Sequence, residues 1–206
     1  MTLYIIRHGE TDFNRKGIVQ GSGVDSELNK IGHSQARLFY QYYKNVSFDY
    51  IITSHLQRTH QTVQPFLKHG THREWIKMTE LNEISWGIHE GQTGNDFSHE
   101  NYRKLMNDWE SGVYDSRIEK GESAAELHQR VSQVVDNLKK QFQGKNILLC
   151  THGRTLMCLM TILNEHPLSK MSHFKHQNTC LYKVHYVDNE FIFELENDVR
   201  HLKYEI

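Results

Sequence analysis

Two short apolar runs, Leu3-Tyr4-Ile5-Ile6 and Ile147-Leu148-Leu149-Cys150-Thr151, each lead into a His-Gly pair: His8-Gly9, preceded by Arg7, and His152-Gly153. Runs this short and this continuously apolar match strands buried on both faces, and the glycine after each punctuates it. Two such strands bring two histidines to one edge of a sheet. In an open α/β sheet, ligands bind outside the carboxyl ends of the parallel strands. The two imidazoles are therefore candidates for one shared site.

The rest of the chain supplies the helices that such a sheet needs. Residues 9–29 read as a loop rich in Gly, Asn and Asp, followed by a helix to about residue 44 with Ile31, Ala36, Leu38, Phe39 and Tyr42 on an approximate stripe. Residues 48–53 read as a strand, 55–68 as a helix and 75–78 as a short strand. Ser123-Ala-Ala-Glu126 is a capping box that opens a helix to about residue 141, with Leu127, Val131, Val134, Val135 and Leu138 keeping its period. Strand 146–151 leads into a helix over 154–163. Residues 180–187 and 190–196, joined by Asp188-Asn189, read as a hairpin. Strands alternating with helices predict an α/β three-layer sandwich: a mostly parallel central sheet with helices on both faces. Residues 87–121 are polar, mixed in charge and punctuated by Gly91, Gly94 and Gly112. They read as a small lid insertion in one domain spanning 1–206, with the aromatics Phe97, Tyr102, Trp109 and Tyr114 suiting a small phosphorylated metabolite.

Charge excludes some partners. Lys plus Arg total 24 against 25 acidic residues, so no overall field draws the chain to nucleic acid or an anionic membrane. The apolar run before Arg7 is too short for a signal segment, no stretch is long enough for a membrane span, and a cytoplasmic location is expected. Cys150, Cys158 and Cys180 form no paired motif and read as reduced core thiols. Among fifteen histidines, the pairs His69/His72 and His173/His176 have a one-face spacing but neither a Cys nor a Glu arranged as in an HExxH motif. They read as solvated imidazoles, not metal ligands.

Arg58, after the strand at 48–53, joins Arg7, His8 and His152 at the same sheet edge. Two guanidinium groups neutralise a phosphate dianion without a metal, and the helix N-termini after both His-Gly pairs are expected to aim N–H groups at the same anion. A neutral imidazole among them can attack phosphorus and carry the phosphoryl group. An alcohol leaving group needs a proton, and Glu83, just before the lid segment, is the carboxylate placed to give it.

These residues resemble the histidine phosphatase superfamily, which includes cofactor-dependent phosphoglycerate mutases and related phosphatases. The likeness rests on residues 3–14 (LYIIRHGETDFN), Gln20-Gly21, Leu28, Gly32, Ser54-x-Leu56-x-Arg58-x-x-Gln61-Thr62, Leu81-x-Glu83-Ile84, Gly87, Glu90-Gly91, Gly121-Glu122-Ser123 and Thr151-His152-Gly153, in family order, with a weaker echo at Asn178-x-Cys180. It implies His8 as the phosphorylated nucleophile, Glu83 as the proton donor, and Arg7, Arg58 and His152 as phosphoryl-binding groups. Asn14 and Gln20 would line the phosphate end of the pocket beside Gly21 and Gly153. The resemblance implies neither a cofactor nor a metal.

Four positions depart from the pattern: Phe13 for a frequent Trp, Glu119 for a frequent Pro, and Arg154 and Met157 in the helix after the second His-Gly. Arg154 adds a cation and so bears on substrate size and charge. Family mutases carry a longer insertion with paired arginines, whereas residues 87–121 hold only Arg103, Lys104, Arg117 and Lys120. The reading is a metal-independent phosphomonoester hydrolase acting on a small phosphorylated metabolite. A phosphoglycerate mutase-type phosphoryl transferase and a non-catalytic phosphate-binding protein are the alternatives.

Overall fold

The computed structural model describes residues 1–70, 72, 74–93 and 99–203. Gly94 and Phe97 of the lid reading lie outside them. Among the described residues, six strands form one sheet in the order β3-β2-β4-β1-β5-β6, where β1 is Thr2–Arg7, β2 Tyr50–Thr53, β3 Glu74–Lys77, β4 Asn146–Thr151, β5 Leu181–Val187 and β6 Glu190–Asp198. The first four are mutually parallel, and the β5–β6 hairpin adds antiparallel to β1. This is the predicted α/β architecture.

Strand alternation explains the layers. In β1, Leu3 and Ile5 face one way and Tyr4 and Ile6 the other; in β4, Ile147 and Leu149 oppose Leu148 and Cys150. Helices α2 (Lys30–Tyr43) and α3 (Gln57–His69) cover the Tyr4 face with Phe39, Tyr43, Val63 and Phe66. Helices α5 (Ala124–Gln141) and α6 (Gly153–Leu163) cover the Leu3 face. The Ser123–Glu126 capping box opens α5, with both reciprocal bonds made.

Three sequence readings are corrected. The loop at 9–29 contains a short helix, α1 (Asp12–Lys16), which Thr11 and Asn14 cap reciprocally; five residues are too few to show a periodic stripe. The segment 87–121 carries helix α4 (His99–Glu110), but Trp109 is 2 % exposed and packs in the core instead of lining a pocket. The pair His173/His176 splits: His173 is exposed, whereas His176 is half-buried at the sheet edge.

β4 lies between β1 and β2. Its register sets Thr151 beside Arg7, so His8 and His152 leave adjacent parallel strands at the same level. One close backbone approach holds this corner: a Cβ on Gly9 would meet the Gly32 carbonyl oxygen at 2.8 Å, closer than side chains tolerate.

Candidate active site

His8 and His152 face each other with ring centroids 5.2 Å apart. Both are buried, at 3 % and 0 % exposure. Burial first, then the positive charges of Arg58 and Arg7, hold the His8 pKa well below 6.5; burial and Arg58 do the same to His152. Both rings are therefore neutral at physiological pH.

The hydrogen bonds assign the protons. His8 Nδ1 lies 2.7 Å from the Gly9 carbonyl, which only accepts, so Nδ1 carries the proton and Nε2 keeps its lone pair. Arg58 Nε, which only donates, lies 3.1 Å from His152 Nδ1. His152 therefore carries its proton on Nε2, which donates to Ser54 Oγ at 2.7 Å. The neighbours agree: the Thr59 hydroxyl donates to the Leu56 carbonyl, which leaves Ser54 to donate to Thr59 and accept from His152.

Arg58, from the first turn of α3, is fully buried. Its Nη1 donates to the Val24 carbonyl at 2.6 Å and its Nη2 to the Gly21 carbonyl at 3.3 Å. Burial lowers its pKa to about 10, so it stays cationic at neutral pH. Arg7 is desolvated as well, an effect that the charge of Glu83 opposes, and its buried Nε has no hydrogen-bond partner. A buried guanidinium N–H without an acceptor marks the place where an anion would sit.

Several of the backbone donors expected to face that anion are engaged within the protein. Glu83 occupies the start of α6: Oε2 accepts from the Arg154 N–H, and Oε1 accepts from the N–H groups of Thr155 and Ile84, all at 3.0 Å, while the Thr155 hydroxyl donates to the Asn82 carbonyl. At the end of β1, the Gly9 N–H goes to Thr62 Oγ1 and the Glu10 N–H to Gln35 Oε1.

Asn14 and Gln20 are arranged alike. Asn14 Oδ1 accepts from the Thr11 N–H and Asn178 Nδ2, and Gln20 Oε1 from the Thr11 and Ser26 hydroxyls. Each amide thus ties its oxygen into the protein and keeps its NH2 as the donor end. Gly21 supports the site from behind: besides receiving Arg58, it leaves room for Glu90. A Cβ on Gly153 would lie 2.9 Å from the His176 ring.

The surroundings hold residues that the sequence reading left without a role. Glu122 clamps Arg130 through both its oxygens, and Arg130 Nη1 donates to the Glu80 and Asn82 carbonyls, securing the turn before Glu83. Glu122 stood in the Gly-Glu-Ser motif, but nothing local pointed to Arg130 as its partner. Asn178 Nδ2 also donates to the His8 carbonyl, and its only trace was the weak Asn178-x-Cys180 echo. His176, its pKa lowered by burial to about 4, stands near Arg7, Glu83 and Arg154. Arg154 donates to the Tyr102 hydroxyl, and its guanidinium carbon lies 5.7 Å from the Trp86 ring centroid and 5.8 Å from that of Trp109. Among the described residues, no three His, Cys, Asp or Glu side chains converge on a metal position, and no helix is long and apolar enough to cross a membrane.

This fold and this edge define an α/β protein built around two neutral histidines, the buried Arg58 and the half-buried Arg7, an arrangement suited to a phosphoryl group. The chain belongs to the histidine phosphatase superfamily, branch 1, whose family model matches residues 3–199. It is 32 % identical over 209 residues to the "probable phosphoglycerate mutase GpmB" of Photorhabdus laumondii, covering 98 % of this chain and 95 % of that one. Among solved structures, it resembles the alpha-ribazole phosphatase of Shigella flexneri (TM-score 0.86, 28 % identity, 96 % of each chain). It also resembles the phosphoserine phosphatase of Entamoeba histolytica, solved in complex with 3-phosphoglyceric acid (TM-score 0.85, 28 % identity, 98 % of each chain).

Proposed function

We propose that the chain hydrolyses a small phosphomonoester through a phosphohistidine on His8. One observation carries the reading: a neutral imidazole with a bare Nε2 beside half-buried Arg7, whose buried Nε has no hydrogen-bond partner. Nε2 attacks phosphorus, the N–P bond forms and the ester P–O bond breaks. Glu83 gives its proton to the departing alkoxide. Water then attacks phosphorus and gives a proton back to Glu83, the N–P bond breaks, and phosphate leaves with His8 neutral again. Arg7 and Arg58 hold the phosphoryl charge throughout, with the donor ends of Asn14 and Gln20 at its rim. His152 fixes Arg58 and turns its Nε2–H from Ser54 to a phosphoryl oxygen.

Arg154 bears on the leaving group. The proton donor must stand on the leaving-group side; Arg154 holds Glu83 through its own N–H, and its side chain packs over Trp86, three residues beyond Glu83. A phosphorylated acid, of the kind bound by the Entamoeba protein, is the first metabolite to test. Neither nucleic acid nor a membrane takes part in this reading. A cytoplasmic setting accords with Cys150, Cys158 and Cys180, all buried as free thiols whose pKa values burial raises.

A mutase is the second reading, favoured by the name of the Photorhabdus relative. Phosphate release from phosphorylated metabolites and an aryl phosphate, in excess chelator, separates the possibilities. Release that needs His8 supports hydrolysis, isomerisation of phosphoglycerate without release supports the mutase, and loss of activity in chelator sinks the metal-independent mechanism.

A further inference from the structure

The carbonyl that anchors the nucleophile's ring belongs to Gly9, so the angle of the His8 ring follows the backbone of residues 8 and 9. That backbone is held from the opposite side by Asn178 and Thr179. The Thr179 N–H lies 3.1 Å from the Arg7 carbonyl and 3.4 Å from the His8 carbonyl, and Asn178 Nδ2 donates to the His8 carbonyl at 3.1 Å. Thr179 does this with φ at +57°, a left-handed conformation costly for a β-branched residue and kept only where its surroundings enforce it.

The enforcing contact comes from the C-terminal 3-10 turn, Arg200–Lys203. The Thr179 hydroxyl donates to the Asn178 carbonyl at 2.8 Å, so it accepts from His201 Nε2, which lies 3.0 Å away. His201 is fully buried and set edge-on against Phe39 of α2, with centroids 5.1 Å apart. Its Nδ1 is buried without a partner. The ring thus makes one hydrogen bond, and that bond goes to the strained threonine behind the nucleophile. His201 also lies beyond residues 3–199, the stretch that matches the family model.

We infer that His201 is a positioning residue: through Thr179 it fixes the Arg7–His8 carbonyls and so aims His8 Nε2 at phosphorus. This rests on the phosphohistidine reading. In-line attack is sensitive to placement, and a shift approaching 1 Å costs about a hundredfold in rate.

The test compares His201→Leu, which fills the space but cannot donate, with His201→Gln, whose amide nitrogen takes the place of Nε2. Phosphoenzyme is trapped in alkali during single turnovers of an aryl phosphate. Far-UV circular dichroism and the unfolding midpoint report folded protein, and the rate of phosphoenzyme formation reads the aim of His8. Expected for His201→Leu is a rate about 10- to 100-fold lower, with the circular dichroism spectrum kept and KM within about twofold, and recovery in His201→Gln. Thr179→Val, which keeps the branched shape without the hydroxyl, should lose rate to the same extent, and the double variant Thr179→Val/His201→Leu should lose no more than either single one. If His201→Leu does not fold, Thr179→Val decides alone. Full rate in the folded variants, equal losses in Leu and Gln, or additive losses in the double variant overturn the inference. Wild-type protein forming no phosphoenzyme would instead overturn the phosphohistidine reading.

Discussion

The ends of β1 and β4 carry the same His-Gly pair, yet the protein around them leaves the two imidazoles in different states. His8 has one nitrogen tied to its own backbone and the other open; His152 has both nitrogens engaged, by Arg58 and by Ser54. A shared motif therefore yields one group with a lone pair to give and one that orients a neighbouring cation. Partners decide this, because both rings are equally buried and equally neutral.

The sharpest break between the two strand ends is the loss of each histidine. His8→Ala is expected to remove turnover on the order of a thousandfold or more and to leave no trapped phosphoenzyme. His152→Ala should slow the reaction by about a hundredfold to a thousandfold while still forming phosphoenzyme. Phosphoenzyme in the first variant, or its absence in a folded second, would exchange or merge the two roles.

Glu83 and Arg154 sharpen the same comparison at the start of α6. Glu83→Gln should cost about a hundredfold or more on alkyl phosphates and far less on an aryl phosphate, whose leaving group needs little acid help; equal losses would remove Glu83 as donor. Arg154→Leu should lower kcat/KM about 10- to 100-fold for phosphorylated acids only, the effect of losing one charge-assisted hydrogen bond. A uniform loss across the substrate panel would show that Arg154 only braces α4.

The smallest effect concerns pH and stability. His8, His152, His176 and His201 all have pKa values lowered by burial, so the unfolded chain binds more protons than the folded one as pH falls below about 6.5. Stability should therefore drop on going from pH 7.5 to pH 5, with His176 and His201, both at about 4, each contributing on the order of 1 to 2 kcal/mol. Thermal unfolding with the same Tm at both pH values would contradict this.

Much of this was legible in the chain because strand-end motifs announce their own position. The apolar runs placed His8 and His152, and the capping box placed α5. What stayed hidden depends on contacts between distant segments. Residues that cap and residues that bind anions look alike in sequence, so Glu83 at the start of α6 displaced the expected phosphate from those N–H groups. His176 read as solvated because spacing says nothing of the Gly153 surface it packs on. Trp109 read as a lid aromatic because a polar neighbourhood masked one deeply buried side chain. His201 carried no motif at all.

The place of β4 in the sheet has a consequence for how the chain folds. Until residue 146 is available, β1 has no parallel neighbour and β2 pairs only with β3, so the two halves of the site belong to separate pieces of the nascent chain. Joining them requires a pairing across more than 140 residues, the kind of non-local closure that slows folding. A fragment ending before β4 exposes unpaired edges on both pieces, which invites aggregation. Catalytic competence is thus one of the last properties the growing chain acquires.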